Sequence, residues 1–183
     1  FNSISILWQI PFGLATATTT RIGNSLGANE PQTAKRVAQT ALLFSLVPAI
    51  LNMTLLLVFR HQWGYIFSDS SSVAALVATI LPLGAFYQLS DATGSIGGGV
   101  IRGCGLQKLG FLINTIGYYV LGVPIGMFLT FYLNYGLFGI WVGLTIGLCF
   151  VSTVQVIILL RMDWIEQAKL AQKRVGQFEV LSH

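Results

Sequence analysis

The sequence has 183 residues, of which 54% are hydrophobic and only 9% are charged, with a formal net charge of +4. An average globular protein carries ~25% charged residues. So few charges cannot cover a water-soluble domain of this length, so the composition excludes that class and predicts a membrane protein.

Uncharged stretches along the chain predict five membrane spans. A helix needs ~20 residues to cross a hydrocarbon core of ~30 Å, and the last uncharged stretch is long enough for two spans divided by a turn signal at residues 134–136. Lipid offers the backbone no hydrogen bonds, and the sequence lacks the short alternating segments of a barrel, so the spans are predicted to be helices. The predicted fold is an all-α membrane domain over residues 1–161, followed by a cytoplasmic tail at 162–183. The spans lie near residues 1–20, 37–59, 73–100, 109–133 and 137–160.

The basic residues predict the orientation of these spans. Five spans place nine of the ten Lys and Arg residues on one side and only Arg60 on the other. Because Lys and Arg bias a loop toward the cytoplasm, we predict a cytoplasmic C-terminus, in the plasma membrane or in a vacuolar or vesicular membrane. The expected partner is the lipid bilayer and not nucleic acid, since no basic patch is interleaved with exposed aromatic residues. The tail is either a short amphipathic helix on the inner leaflet or a solvated segment.

Motifs of soluble enzymes are missing from the sequence. The two histidines, His61 and His183, have no Cys or carboxylate nearby at metal-ligand spacing. The glycines between 97 and 105 are not followed by the Gly-Lys-Ser/Thr of a phosphate loop. We therefore predict neither catalysis nor a metal or cofactor site. The sequence starts at Phe1 inside an apolar stretch, so we also expect it to cover part of a longer protein.

Asp91 is the one ionisable residue inside a predicted span. An acid at that depth costs ~2.5 kcal/mol or more on insertion scales, which favours a functional role over a structural hydrogen bond to a neighbouring helix. Tyr87 and Gln88 share its helix face. In a partly dry cavity a carboxyl group exists in both protonation states, one of which binds a cation. That property is the minimum needed to exchange a proton for a cation.

Polar and small residues also recur at helical spacing in other spans. Gln9 heads a stripe with Thr16 and Thr20 in the first span, and Asn114 precedes Tyr118 in the fourth. These residues either line a cavity or form hydrogen bonds between helices. The fifth span contains two overlapping GxxxG units at residues 139–147, which predict close helix packing.

Two segments carry a family resemblance. Residues 11–28 resemble the P-x-G…A…R-[VI]-G-N-x-L-G-A signature of multidrug and toxin extrusion (MATE) transporters. Residues 99–108, with Asn114, Tyr118-Tyr119, Gly122 and Pro124, resemble the G-V-x-R-G-x-G-x-Q-K…N…Y-Y…G-x-P run of that family. Asp163-Trp164 is similar to the segment that follows the membrane domain in eukaryotic members. The resemblance covers nearly the whole chain.

This resemblance implies a two-lobe transporter. Members have two six-helix lobes around a central cleft, and they exchange protons or Na⁺ for mostly cationic organic compounds by alternating access. The five spans would be the eighth to twelfth helices, which form most of the C-terminal lobe. The N-terminal lobe, expected as a partner within the same chain, and the seventh helix would lie outside the sequence.

The resemblance also implies roles for the candidate residues. Asp91 lies where eukaryotic members carry a cavity-lining acid, so it is the expected carboxylate shared by the proton and an organic cation substrate. Tyr87, Gln88 and Asn114 are expected to line the cavity, Tyr118 to offer an aromatic face to a cation, and Gln9 to stand in the eighth helix, where some relatives are acidic. The favoured hypothesis is a proton-coupled antiporter. A Na⁺-coupled exporter, a lipid-linked precursor flippase and a membrane scaffold or receptor module remain as alternatives.

Overall fold

A computed structural model describes the backbone of residues 2–181 and the side chains of residues 9–176. Within that range the chain is almost entirely helical and contains no strand. Phe1, at the start of the first predicted span, lies outside the described residues. The helices are α1 (Asn2–Gly27), α2 (Pro31–Val58), the short α3 (Arg60–Trp63), α4 (Ser71–Gly103), α5 (Gln107–Tyr132), α6 (Gly136–Arg161) and α7 (Trp164–Leu181).

The predicted all-α membrane fold is confirmed. Of the described helices, α2, α4, α5 and α6 are long and apolar enough to cross a membrane, and α1 packs beside them as a fifth long helix. Each of these helices extends beyond its uncharged stretch at one end at least. The connection between α1 and α2, for example, has only three residues, at 28–30. We call the end of the bundle formed by this connection, residues 104–106 and α7 the basic end.

Helix α4 lies at the centre of the bundle and packs against α1, α2 and α6. Glycines let the neighbouring backbones approach closely. A Cβ atom added to Gly99 would lie 2.7 Å from the carbonyl oxygen of Ala15, and one added to Gly103 would lie 2.8 Å from that of Thr19. The Thr19 hydroxyl lies 2.9 Å from the carbonyl oxygen of Gly99 and joins α1 to α4. The glycines of the 99–108 motif are therefore required by packing.

Helices α5 and α6 pack through facing glycines, as the GxxxG units predict. A Cβ atom on Gly143 would overlap the backbone of Gly126, and one on Gly147 would lie 2.6 Å from the carbonyl oxygen of Gly117. Helix α5 contains π-helical stretches at Thr115–Gly122 and Phe128–Tyr132. The predicted turn between the two helices is also present, with Asn134 and Gly136 at φ values of 58° and 55°.

Adding a methyl group at Gly143 is expected to destabilise the protein. Overpacking a close interface costs about 1–3 kcal/mol, so Gly143→Ala should lower the thermal midpoint of the purified full-length protein in detergent. Gly13→Ala is the matched control, because a Cβ atom there meets nothing within 4 Å and alanine favours a helix by up to about 1 kcal/mol. Equal midpoints for the two variants would contradict the packing described for α5 and α6.

Helix α7 packs against the two connections at the basic end and is not a solvated tail. Trp164 and Ala168 are buried in the same cluster as Leu26 of α1 and Cys104. Arg174 donates a hydrogen bond to the carbonyl oxygen of Cys104 at 2.9 Å. Two residues earlier in α7, Gln172 Nε2 donates a hydrogen bond to the carbonyl oxygen of Gly27 at 2.6 Å. Two connections of the bundle are thus held by one helix.

The Arg174 contact explains a glycine of the 99–108 motif. Gly105 has a φ of +72°, a left-handed conformation that disfavours side chains. A Cβ atom at this position would also overlap the Arg174 guanidinium. Gly105 therefore serves both the turn between α4 and α5 and the docking of α7.

Docking of α7 predicts that the Cys104 thiol reacts slowly. Burial raises the pKa of this thiol from 9.0 to about 11, although the nearby Arg174 acts in the opposite direction. The reactive thiolate is thereby about 100-fold scarcer at pH 8 than for an unshifted thiol. Alkylation of Cys104 in the full-length protein, followed by peptide mass spectrometry, should keep rising with pH beyond pH 9.

Two neighbouring variants test the role of α7 in this protection. Trp164→Ala removes the buried anchor and should speed alkylation of Cys104 at pH 8 at least tenfold. Ile165→Ala changes an exposed neighbour and should leave the rate unchanged. An identical rate in all three proteins would mean that α7 does not cover the thiol.

Candidate functional site

The candidate site is centred on a polar face of α4. Asp91 is only 9% exposed and Gln88, one turn before it, only 1%. Neither the Asp91 Oδ2 atom nor the side-chain amide of Gln88 has a hydrogen-bond partner within the described chain. Buried polar atoms are normally paired, because leaving one unpaired costs about 1–3 kcal/mol. The bundle therefore holds unused hydrogen-bonding capacity beside a carboxyl group.

Two tyrosines join this face from different helices. Tyr87 lies one turn before Asp91, and its ring meets Trp141 of α6 edge to face, with ring centroids 6.3 Å apart. Tyr118 comes from α5, where it packs against the cluster of Ile101, Ile113 and Val151. Both tyrosines are half-buried and lie within Coulombic range of Asp91. Tyr87, Gln88, Asp91 and Tyr118 thus form one neighbourhood.

Gln155 was not among the predicted site residues. This residue of α6 is 2% exposed, and its Oε1 atom has no hydrogen-bond partner in the described chain. It packs against the glycines that follow Asp91: a Cβ atom on Gly97 would lie 2.6 Å from Gln155 Cβ, and one on Gly94 3.9 Å from Gln155 Oε1. Its signal in the sequence is a single uncharged amide within an otherwise apolar span.

Asn114 and Gln9 are not brought into this neighbourhood by described contacts. Asn114 is exposed, and its Nδ2 donates to the carbonyl oxygen of Gly110 at 2.9 Å. Gln9 is exposed on α1, as are Thr16 and Thr20 in the same stripe. Each of those threonines bonds a carbonyl one turn earlier in its own helix. No described contact supports a hydrogen-bonding role between helices for these side chains.

The segment that contains this polar face matches a known protein family. The MatE family model matches residues 1–128 of this chain. The chain belongs to the MATE family. The crystal structure of the eukaryotic MATE transporter AtDTX14 superposes with a TM-score of 0.91 at 33% identity, covering 95% of this chain and 39% of that one. The resemblance seen in the motifs is confirmed.

Curated MATE relatives are similar over nearly the whole chain. Multidrug and toxin extrusion protein 2 of Mus musculus is 38% identical over 176 residues, which are 96% of this chain and 31% of the relative. Protein DETOXIFICATION 15 of Arabidopsis thaliana is 38% identical over 168 residues, which are 92% of this chain and 35% of the relative. The chain therefore spans about a third of the length of these relatives.

Replacing a buried amide should not destabilise this MATE chain. Gln88→Met keeps the length of the side chain and removes two polar atoms that have no partner, so the free energy of unfolding should stay equal or rise by up to about 1–3 kcal/mol. The thermal midpoint of the full-length protein in detergent is the measurement. The matched contrast is Ser45→Ala, which removes a buried hydroxyl that donates to the Leu42 carbonyl at 2.8 Å. A lower midpoint for Gln88→Met than for the wild type would show that the amide is structurally paired.

Proposed function

We propose that this chain is part of a MATE transporter that exports organic cations in exchange for protons by alternating access, with Asp91 as the shared binding carboxylate. The observation that carries the proposal is the buried Asp91 side chain, whose Oδ2 atom has no hydrogen-bond partner among the described residues. The family and the fold support it. The names of relatives in mouse and Arabidopsis refer to toxin extrusion and detoxification.

The chemistry of an unpaired buried carboxyl group explains coupling. The charged form is costly in a dry site unless a cation balances it, whereas the neutral form needs only a proton. A proton and an organic cation therefore compete for Asp91, and binding of one lowers the affinity for the other. Lower pH on one side favours protonation and release of the cation there. This competition is the thermodynamic basis of exchange.

Neighbouring residues supply the rest of the proposed site. The Tyr87 and Tyr118 rings offer aromatic faces, which attract organic cations. Gln88 and Gln155 offer amide groups that have unpaired atoms. Asn114 and Gln9, exposed in the described chain, are proposed to face the cavity from α5 and α1.

The proposal includes partners and an orientation. We infer that the N-terminal lobe of the same protein completes the cavity, because the chain spans only about a third of its relatives. The basic end is proposed to face the cytoplasm, since nine of the ten basic residues lie on that side of the predicted spans. The chain is accordingly a multi-pass protein of the plasma membrane or an internal membrane.

Removing the charge of Asp91 is expected to abolish exchange. Full-length Asp91→Asn protein in vesicles should lose at least 90% of cation uptake driven by a pH gradient, because asparagine does not take up a proton. The readout is a fluorescent organic cation, with quantified protein in each preparation. Asp69→Asn is the matched control: it makes the same change at an exposed residue between α3 and α4 and should transport normally.

Uptake in the same vesicles shows which ion gradient drives transport. A proton gradient at equal Na⁺ should drive uptake in the wild type, and a Na⁺ gradient at equal pH should not. Transport driven only by Na⁺ would replace proton coupling with the Na⁺-coupled alternative. Normal proton-driven transport by Asp91→Asn would contradict the assigned role of the carboxyl group.

A further inference from the structure

A groove runs between α1 and α2, away from the polar face of α4. It has a volume of about 380 Å³, and both arginines of this region line it. Arg21 and Arg36 stand at one end, Leu14 and Phe44 at the other, and Thr18 and Thr40 between them. Phe44 is 65% exposed, so the apolar part of the groove opens to the outside of the described bundle. None of these residues belongs to the proposed cation site.

The two arginines stand at the same height in the bundle. Arg21 precedes the end of α1 at Gly27 by six residues, and Arg36 follows the start of α2 at Pro31 by five. At 1.5 Å per residue these offsets are roughly 9 Å and 8 Å. Both guanidinium groups therefore lie about one and a half turns from the short connection at 28–30. With the basic end at the membrane surface, as proposed above, this is the depth of the headgroups and the upper acyl chains.

The groove has unbalanced positive charge. Neither Arg21 nor Arg36 forms a hydrogen bond or an ion pair within the described residues. Lys35 adds a third positive charge to the first turns of α2, and Glu30 is the one acidic residue between Arg21 and Arg36 in the sequence. Two unpaired guanidinium groups at one depth suit a phosphodiester, which accepts several hydrogen bonds at once.

The remaining walls suit a hydrocarbon chain. From Arg21 to Leu14 is seven residues along α1, and from Arg36 to Phe44 is eight along α2, so the groove runs roughly 10 Å into the membrane. The Thr18 hydroxyl is already bonded to the carbonyl oxygen of Leu14 at 2.7 Å, which leaves that wall without a free donor. A free phosphate would use only the arginine end, whereas a lipid would use the whole length.

We propose that this groove binds an anionic phospholipid. The phosphodiester lies between Arg21 and Arg36, and the upper part of one acyl chain lies along α1 and α2 toward Leu14 and Phe44. Basic pockets between membrane helices are the usual sites for anionic headgroups. The proposal is independent of the proposed transport activity, since its residues and its readout are different.

The test titrates lipid into the full-length protein. Purified protein in a neutral detergent is mixed with phosphatidylserine, phosphatidylcholine or inorganic phosphate, and the thermal midpoint is recorded against concentration. A ligand that binds the folded state raises the midpoint. Phosphatidylserine should raise that of the wild type, and the other two should not. Three variants, each compared with its own lipid-free midpoint, separate the parts of the site.

Arg21→Gln/Arg36→Gln should weaken the phosphatidylserine response about 30-fold in concentration, the factor expected for two basic groups at an anionic surface. Arg161→Gln/Lys169→Gln removes two exposed positive charges from the same end of the bundle and should retain the response. Ala17→Phe fills the apolar middle of the groove without changing charge and should likewise weaken the response.

Five outcomes would overturn the assignment. An equal response to phosphatidylcholine, or no response to either lipid, would rule out a site specific for an anionic phospholipid. A matching response to inorganic phosphate would make the arginines a simple anion site. An undiminished response in Ala17→Phe, or equal losses in the two double variants, would reduce the effect to diffuse surface charge. None of these outcomes depends on whether the proteins transport cations.

Discussion

Close backbone contact around α4 is the constraint on which the rest of the structure depends. A membrane helix that packs against three neighbours has little room for side chains, and α4 meets this requirement with glycines toward α1 and α6. The polar side chains of α4 are then confined to the part of its surface that these contacts leave open. The position of Asp91 is therefore set by backbone packing rather than by a hydrogen bond of its own carboxyl group.

The same packing explains why a stable bundle tolerates unpaired polar atoms. The Gln155 side chain occupies the space beside Gly94 and Gly97. It therefore cannot move without disturbing the α4–α6 interface. An apolar side chain would satisfy that interface at lower cost. Under the proposed function these groups are available to a ligand at a cost in stability, a compromise that functional sites commonly make.

The sequence predicted most of the fold and singled out Asp91 as a candidate, but it did not predict the contacts around that residue. The spans were predictable because a charge inside hydrocarbon is costly, and the same rule identified Asp91. The helix ends were not predictable, because helices continue into the headgroup region, where charge is tolerated. Gln155 carried no such signal, and the docking of α7 depends on long-range contacts such as that of Arg174 with Cys104. Periodicity placed Asn114 near Tyr118, but it could not show that its amide bonds within its own helix.

The polar face of α4 and the groove between α1 and α2 are connected by α1. On one side α1 contacts α4 at backbone distance through Thr19 and Gly99, and on another it contributes Leu14 and Arg21 to the groove. Gln172 of α7 also bonds the carbonyl at the end of α1. A displacement of α1 relative to α4 would disturb all three regions, because interfaces packed at this density do not deform continuously. Contacts of α1 thus link the helix that carries Asp91 to the groove and to α7.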